Sequence, residues 1–286
     1  MMAALSVLSF SLLVAAGSFA AGVAGAMTGL GGGVVLIPML TLGFGVDIRY
    51  AMGASLVSVI ATSSGAAAAF VREGYTNIRV GMLLEIATSL GAILGAVIAV
   101  WVHPSWIAFI LGLVLLHAAY TSLRSNSPAD LAGEIAAHDR FSRALHLDGT
   151  YPTDHGMVAY HVQSVPAGFA LMGVAGILSG LLGIGSGVIK VLAMDRVMKL
   201  PFKVSTTTSN FMIGVTAAAS AGIYLGKGYI DPGLSMPVML GVLAGSLFGA
   251  KLLANAPVKQ LRLLFGIVIA ALAIEMIYNS LTGRFQ

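Results

Sequence analysis

The chain carries one hydrophobic pattern twice, offset by 154 positions. The stretch GLGGGV at 29–34 returns as GIGSGV at 183–188. The same offset places glycine on glycine eight times without a gap, at Gly22/Gly176, Gly29/Gly183, Gly31/Gly185, Gly33/Gly187, Gly74/Gly228, Gly91/Gly245, Gly95/Gly249 and Gly112/Gly266. Two hydrophobic units that are each interrupted by glycines near their start are typical of membrane proteins with internal repeats. The repeat therefore predicts a fold of two related halves.

The composition places the chain in a membrane. Residues of the AVILMFWYC set make up 58% of the 286 residues and charged residues only 9%, whereas soluble domains contain about 25% charged residues. At about 20 residues per span, the length accommodates roughly eight to ten spans. The chain has no cysteine, which excludes disulfides and thiolate metal sites. Its few basic residues form no stripe for nucleic acid, so no nucleic-acid partner is expected.

Ten apolar blocks define the predicted organisation. They lie at about 4–27, 33–46, 51–71, 80–102 and 105–123 in the first copy, and at about 164–181, 187–198, 204–225, 233–254 and 259–280 in the second. We predict an all-α integral membrane protein with a first membrane repeat at 1–123, a cytoplasmic loop at 124–163 and a second membrane repeat at 164–286. The first block has no Lys or Arg before it, so we expect a retained span rather than a signal peptide.

The basic residues indicate how the two copies are oriented. Five blocks per copy start the second copy on the opposite side of the membrane, and most lysines and arginines then fall on one side: Arg72, Arg79, Arg124, Arg140, Arg143, Arg196, Lys199, Lys203, Lys251, Lys259 and Arg262. The other side has Arg49, Lys227 and Arg284. Counting four crossings per copy scatters the charges over both sides. The pattern predicts inverted repeats in a bacterial cytoplasmic (inner) membrane, with the basic side cytoplasmic and both termini outside.

The second block of each copy, at 33–46 and 187–198, is short for a span at 1.5 Å per residue. The first two blocks of each copy therefore form either two crossings or one re-entrant hairpin, and the charge pattern fits both. Small residues between these blocks are predicted to break the helices: Gly31, Gly32 and Gly33 form the first elbow, and Gly185, Ser186 and Gly187 form the second.

Each glycine costs about 1 kcal/mol relative to alanine inside a helix, which is why these clusters predict a break. A helix that starts at such an elbow presents free N–H groups and the positive end of its dipole, which favour an anion. Close helix packing is the alternative. We assign four other glycines to packing: Gly91, Gly95, Gly245 and Gly249.

Polar side chains open the third block of each copy. The first copy places Ser55, Ser58 and Thr62 on one helix face. The second has Ser205, Thr206, Thr207, Thr208, Ser209 and Asn210, followed by Thr216. Such groups can donate to an oxyanion or coordinate a cation, or they can bond back to a carbonyl four residues earlier. We predict that a substrate path is lined by Ser55, Thr206, Thr207, Thr208, Ser209 and Asn210.

Lys190 is the charged residue for which a binding role is predicted. It lies three residues beyond Gly187, where the first copy has Leu36. An ionisable residue inside a span indicates function by default, and this ammonium could reach an anion at the second elbow. Snorkelling to the interface is the alternative. Glu85 and Glu275 are candidate proton carriers, unless they pair with cations or lie at an interface.

Two histidine features have no assigned role. His117 is interpreted as a packed core residue. The loop at 124–163 contains His138, His146, His155 and His161 at a spacing that matches no metal pattern, so we expect a solvated linker and no metal or cofactor. Apolar residues at helical spacing over 130–146 predict a surface helix.

Four segments together resemble the TauE/SafE family of sulfite and organosulfonate exporters: GLGGGVVLIPML at 29–40, AMGAS at 51–55, GIGSGVIKVLAM at 183–194 and KVSTTTSNF at 203–211. The resemblance covers nearly the whole chain except for the loop at 124–163. It implies transport of sulfur-containing anions driven by the proton gradient. The copies depart from each other at two places, because Leu192 stands opposite Pro38 and Ser186 stands opposite Gly32.

The combined expectation is a transporter in the lipid bilayer that moves a small sulfur-containing anion by alternating access, coupled to protons or another ion. An uncoupled anion channel and a cation-coupled importer of small organic anions remain alternatives. A membrane enzyme is disfavoured because no paired catalytic groups converge, and Ile184 stands where a nucleophile motif around Ser186 needs glycine. Substrate, direction and oligomeric state stay open, with a homodimer among the alternatives.

Overall fold

The computed structural model describes residues 7–28, 32–72, 74–124, 140–153, 156–253 and 258–283. The helices in these ranges are α1 (Val7–Thr28), α2 (Gly33–Pro38), α3 (Ile48–Arg72), α4 (Ile78–Trp101), α5 (Pro104–Arg124), α6 (Arg140–Ala144), α7 (Val165–Leu182), α8 (Gly187–Leu192), α9 (Phe202–Gly226), α10 (Pro232–Leu253) and α11 (Val258–Leu281). Strands β1 (Gly149–Thr153) and β2 (Gly156–Tyr160) form an antiparallel hairpin.

The long helices are apolar enough for a membrane. Helices α4 and α7 and the segment Pro232–Gly249 of α10 could each cross a bilayer by length and composition. Other apolar helical segments lie at Leu8–Val23, Gly33–Gly43, Pro104–Tyr120 and Gly266–Leu281. Large apolar side chains such as Leu90 and Trp101 are exposed on the outside of the bundle, where lipid tails would cover them. This is the architecture of a helical membrane protein, and the small β-hairpin is a departure from the predicted all-α fold.

The second block of each copy is a short helix that continues into a π-helical turn. α2 is followed by Met39–Gly43, and α8 is followed by Ala193–Val197. Each combined segment has a length of roughly 16 Å at 1.5 Å per residue, about half of a 30 Å hydrocarbon core. Such a segment is too short to cross a membrane by itself, which favours the hairpin alternative. Both copies have the π turn although only the first contains Pro38, so the proline is not its cause.

Helices of the two copies pack reciprocally. α1 packs against α10, and its counterpart α7 packs against α4, the counterpart of α10. α3 packs against α9 and α5 packs against α11, which pairs equivalent helices with each other. The contacts of α4 with α9 and of α10 with α3 complete the same exchange. Each helix contact is therefore repeated between the counterparts of the same helices, as the sequence repeat predicts.

Close contacts at glycines give the direction of this packing. A methyl group at Gly91 would overlap the Gly173 carbonyl, and one at Gly95 would overlap the Ile177 carbonyl. The residue numbers of the two contacting helices rise together, so α4 and α7 run parallel. The same holds for α1 and α10, where Gly241 contacts Ala15 and Gly245 contacts Phe19. The packing role predicted for Gly91, Gly95 and Gly245 is confirmed.

The two pairs of equivalent helices run antiparallel. The Ser280 hydroxyl donates to the Ser105 carbonyl at 2.6 Å, and Gly112 packs against Ala273 further along. As residue numbers rise along α5, the numbers of the contacting residues in α11 fall, so these two helices run antiparallel. The contacts of Gly53 with Tyr229 and of Gly214 with Ser63 give the same direction for α3 and α9.

Part of the connecting loop is packed rather than solvated, which corrects the expectation of a solvated linker. Leu147, Tyr160 and Val162 are buried against the bundle. The Asn77 side-chain amide donates to the Leu147 carbonyl and to the Tyr160 hydroxyl, both at 2.8 Å. The loop therefore docks on the N-terminal end of α4, where Asn77 also caps the helix through Val80 N–H.

The remaining loop expectations fall partly outside the described residues. The helix predicted over 130–146 is present as α6 at its C-terminal end, and 130–139 lie outside the described ranges, as do His138 and His155. Within the part of the chain that the structure describes, no group of three potential metal ligands occurs.

Asp148 ties α6, the hairpin and the start of the second copy together. Its carboxylate accepts from the Ser142 hydroxyl at 2.7 Å and from Val162 N–H at 2.8 Å, and His161 Nδ1 lies 3.1 Å away. Partial burial acts to raise the pKa of Asp148, but these hydrogen bonds and the nearby His161 outweigh burial and hold the pKa below its usual value. Docking of the loop therefore favours the ionised carboxylate.

We predict that Gly95→Ala lowers the apparent Tm of the detergent-solubilised protein, because the added methyl group overlaps backbone and overpacking costs about 1–3 kcal/mol. Gly173→Ala in the partner helix is the matched control, since a methyl group there meets nothing within 4 Å. Thermal unfolding followed by size-exclusion chromatography measures both variants. Equal Tm values for the two variants would contradict the parallel α4–α7 interface.

The lowered pKa of Asp148 predicts a pH-dependent loop. A carboxylate with a lowered folded-state pKa stabilises the docked loop above its unfolded value of about 3.9, and this contribution disappears as the pH falls through the folded-state pKa. Hydrogen exchange of residues 140–162, corrected for intrinsic rates, should therefore show loss of protection in acid. Asp148→Asn should have low protection at neutral pH and little acid dependence. Protection that is identical in wild type and variant would be the contrary result.

Candidate functional site

The two elbows lie against each other. A methyl group on Gly33 would lie 2.6 Å from Ser55 Oγ and 3.5 Å from Ile184 Cα, so the first elbow touches the second. Gly32 precedes α2 in a right-handed helical conformation. Gly31 lies outside the described residues. The first elbow therefore packs against Ile184, the residue that precedes the second elbow.

The second elbow breaks the helix through left-handed backbone. Gly183 and Gly185 have φ values of 68° and 73°, and Ser186 has a φ value of 46°. Glycine adopts this region freely, whereas serine does so at an energetic cost. The predicted break between α7 and α8 is confirmed.

Hydroxyls from α3 and α9 donate to carbonyls at the two ends of the break. Ser55 Oγ donates to the Gly183 carbonyl at 2.8 Å, and Ser209 Oγ donates to the Gly187 carbonyl at 3.3 Å. Inside a bilayer such carbonyls need a protein partner, because water is absent. Ser55 and Ser209 thus belong to the elbow, with their hydroxyls committed to its backbone in this structure.

The rest of the hydroxyl run contacts other groups. Thr206 Oγ1 donates to the carbonyl of Phe202, one turn earlier. Thr207 Oγ1 lies 3.0 Å from the Tyr75 carbonyl, and Thr208 Oγ1 accepts from Asn77 N–H at 3.0 Å. Thr207 and Thr208 therefore anchor the segment before α4, and Asn210 is partly exposed. A substrate path along these four residues stays a prediction.

Lys190 is fully buried and hydrogen-bonded at the centre of a polar network. Its Nζ donates to Thr216 Oγ1 at 2.5 Å, and Thr216 Oγ1 lies 2.7 Å from Glu85 Oε1. Ser89 Oγ donates to the same Oε1 at 2.7 Å. We call these four residues, Lys190, Thr216, Glu85 and Ser89, the Lys190–Glu85 network. Lys190 has an exposed fraction of 0%, so its side chain does not snorkel to an interface.

The network compensates two buried charges without bringing them into contact. Glu85 is 7% exposed and Thr216 is 0% exposed. In the described part of the chain no carboxylate lies within ion-pair distance of Nζ, so the Thr216 hydroxyl separates the charges. Both hydroxyl donors reach Oε1, and Oε2 is buried without a hydrogen-bond partner among the described residues. A charge pair in a low-dielectric interior needs its partners, because removal of one leaves the other uncompensated.

The bridging roles of Thr216 and Ser89 were not predicted from the sequence. Thr216 aligns with Thr62 in the repeat, and Ser89 follows Glu85 by one helical turn, so both signals were present. The repeat offset places Leu36 of the first copy opposite Lys190 and Met239 of the second copy opposite Glu85. The network therefore takes one charge from each copy, and the positions related to it by the repeat carry no charge.

A cavity of about 200 Å³ opens beside the second elbow. Its walls are mainly apolar and come from α2, α5, α7 and α8: Val34, Leu113, Val114, Ala118, Leu178, Ile184 and Ile189. Ser186 and His117 supply polar atoms. Ser186 is 4% exposed and its hydroxyl has no hydrogen-bond partner among the described residues. His117 is exposed at this wall, which corrects its interpretation as a packed core residue.

Glu275 lies in a different place from the network. It is exposed and lines a larger groove between α1, the α2 hairpin arm and α11. Pro38, Met39 and Leu272 are among its neighbours in this groove. The structure therefore separates the two candidate proton carriers, and only Glu85 is linked to Lys190.

Comparisons with known proteins agree with this architecture. A family model described as "Sulfite exporter TauE/SafE" matches residues 14–276. "Probable membrane transporter protein YunE" of Bacillus subtilis is 25% identical over 281 residues, which cover 96% of this chain and 99% of the relative. YdhB of the same organism, with the same description, is 27% identical over 78% of this chain and 82% of its own length. A "Probable membrane transporter protein" of Xylella fastidiosa is 25% identical over 276 residues, which cover 94% of this chain and 96% of the relative. No solved structure matched the chain.

The network predicts that the effects of single and double substitutions on stability are not additive. Lys190→Leu alone or Glu85→Met alone should destabilise the protein strongly, since loss of one buried partner costs roughly 3–5 kcal/mol. The double variant Lys190→Leu/Glu85→Met reproduces the pair at the related positions, Leu36 and Met239, and should recover much of the lost stability. Thermal unfolding of the four proteins in one detergent measures this double-mutant cycle. Additive effects would show that the two side chains do not interact.

Proposed function

Since the chain belongs to the TauE/SafE family of membrane transporters, we propose that it is a secondary transporter of a small sulfur-containing anion. It moves the anion, a sulfite or an organosulfonate, by alternating access and couples this movement to protons. The observation that carries the proposal is the fully buried Lys190 beside the second elbow. A buried cation in a membrane is expensive unless it meets a negative charge, and a substrate anion supplies one.

The position of Lys190 supports the binding role. It follows the second elbow by three residues, and its backbone N–H bonds to the Ser186 carbonyl at 3.2 Å. An anion at the elbow would therefore lie within about one helical turn of the ammonium. The charge of Lys190, the unpartnered hydroxyl of Ser186 and the exposed His117 side chain at the adjoining cavity are groups available to it.

The packing directions support alternating access through inverted repeats. Parallel pairs α1–α10 and α4–α7, together with antiparallel pairs α3–α9 and α5–α11, are what two copies of opposite orientation produce. In transporters of this kind the substrate lies where the repeats meet, and one repeat moves against the other. The concentration of lysines and arginines on one side supports a cytoplasmic assignment for that side, with both termini outside in the bacterial inner membrane.

The cavity beside the second elbow supports an organosulfonate over sulfite. Its volume of about 200 Å³ is several times the share of one water molecule in liquid, about 30 Å³. Apolar walls suit a hydrocarbon body, whereas a polar inorganic anion gains little from them. The sulfonate group would face Ser186 and Lys190, and the hydrocarbon would occupy the cavity.

We predict that Lys190→Met abolishes uptake of radiolabelled organosulfonate by proteoliposomes, because the anion loses its buried counter-charge. Lys227→Met is the matched control, since Lys227 is exposed at the C-terminal end of α9. A panel of sulfite, taurine, sulfoacetate, ethanesulfonate and a carboxylate, tested with and without an imposed pH gradient, identifies the substrate. Flux that ignores the gradient would instead indicate an uncoupled channel, and full activity of Lys190→Met would remove Lys190 from the binding site.

A further inference from the structure

We propose that Glu85 is the proton-coupling residue and that the anion and the proton move in the same direction. In this scheme the substrate anion and the Glu85 carboxylate compete for Lys190, so that the anion takes Lys190 only when Glu85 is protonated. The inference rests on the proposed anion transport and adds its coupling residue and the sign of its coupling.

The geometry makes Lys190 exchangeable. Its Nζ reaches Glu85 only through the Thr216 hydroxyl, and it uses one of its three N–H donors in that bond. Lys190 lies on the six-residue helix α8, between the left-handed elbow and a π turn. Glu85 and Thr216 lie on the long helices α4 and α9, which pack against each other. A small shift of α8 toward an anion would therefore break a single hydrogen bond and leave the α4–α9 contact intact.

Charge balance then requires a proton. With Glu85 ionised, the network has no net charge in the interior. A monovalent anion that takes Lys190 as its partner leaves the Glu85 carboxylate without compensation, which is costly in a low-dielectric environment. Addition of a proton to Glu85 converts it to a neutral carboxylic acid and restores zero net charge. Oε2 is the oxygen available for this proton, because Oε1 already accepts from Thr216 and Ser89.

Other ionisable groups near α4 have partners of their own. Lys203 of α9 lies over the Tyr75 ring at 3.8 Å, and the Tyr224 hydroxyl donates to the Gly180 carbonyl. Arg79, the other charged residue of α4, donates to the His146 carbonyl.

The remaining neighbours of α4 offer no competing proton site. Helix α7 contains no ionisable side chain. Asp195 and Arg196, in the π turn that packs on α7, pair with each other at 3.3 Å. Lys190 is therefore the charge that Glu85 faces across the packed helices.

This exchange predicts symport. Because the anion-bound state contains one additional proton, a monovalent anion and a proton cross together and no net charge moves. An inward proton gradient drives such an anion inward, and efflux of the anion carries a proton outward. A transporter whose anion and proton exclude each other would behave oppositely, as an antiporter.

Binding measurements test the inference on the purified full-length protein. Ethanesulfonate is a suitable probe, because it stays monovalent over the range tested. For one coupled proton, its affinity should fall about tenfold per pH unit above the pH at which Glu85 ionises. Addition of ethanesulfonate to weakly buffered wild-type protein in that range should remove about one proton per bound anion from solution, as an indicator dye reports.

Glu85→Gln imitates the protonated carboxyl and should bind ethanesulfonate with little dependence on pH and without proton uptake. Glu275→Gln tests the other candidate carrier and should keep the wild-type slope. The inference is overturned if wild type binds the anion without proton uptake, if protons are released, or if Glu275→Gln rather than Glu85→Gln removes the slope. The measurement of proton uptake by the wild-type protein tests the inference even if Glu85→Gln does not fold.

The failure of the proposed function looks different. If wild type bound and transported no member of the sulfite, taurine, sulfoacetate and ethanesulfonate panel, anion transport itself would be refuted, and the coupling scheme with it. Anion binding without any proton linkage would refute only the coupling scheme.

Discussion

The positive charge of Lys190, enclosed where no water can solvate it, is the constraint on which the rest of this site depends. A lone ammonium in such an interior is unstable, so the fold must place a compensating group beside it. Glu85 provides the opposite charge from α4, and Thr216 joins the two from α9. Helix α4 of the first copy and the consecutive helices α8 and α9 of the second are therefore held in one rotational arrangement by a chain of two hydrogen bonds. Because the charges do not touch, the same arrangement leaves the ammonium open to another anion.

The duplication explains the scaffold, and its asymmetry explains where the chemistry lies. Reciprocal packing of α1 with α10 and of α7 with α4 shows that both copies follow one packing plan. At the positions that the repeat relates to the network, however, the chain has Leu36, Thr62 and Met239. The hydroxyl persists while both charges are absent, so the fold does not need the charges to form. Their presence at one of the two related places is better explained by a ligand than by stability.

The large-scale features were predictable from the sequence because they depend on local composition and on repetition. The apolar blocks predicted the helices, and the glycine clusters predicted the helix breaks. Glycines one turn apart predicted the tight helix–helix contacts at Gly91 and Gly95. The partner of Lys190 was not predictable, because contact with Glu85 and Thr216 depends on how α4 and α9 are rotated about their axes. Nor could the sequence say which hydroxyls are consumed by backbone, as Ser55 and Thr207 are. The hairpin at Gly149–Tyr160 was missed because its strands are short and their pattern is not strictly alternating.

Selectivity follows from the way the polar groups of the site are already satisfied. The Gly183 and Gly187 carbonyls have hydroxyl partners, and Lys190 has Thr216, which leaves only the Ser186 hydroxyl free among the described polar groups of the elbow. A ligand must therefore replace Thr216 as the hydrogen-bond partner of Lys190, because most polar groups of the site already have a partner within the protein. A neutral molecule cannot compensate Lys190 and gains nothing from that exchange. A zwitterion brings a second cation that the apolar cavity cannot solvate. Under the proposed function, the exchange would favour a ligand with net negative charge and an apolar body, so the pairing of Lys190 with Glu85 would contribute to selectivity as well as to charge compensation.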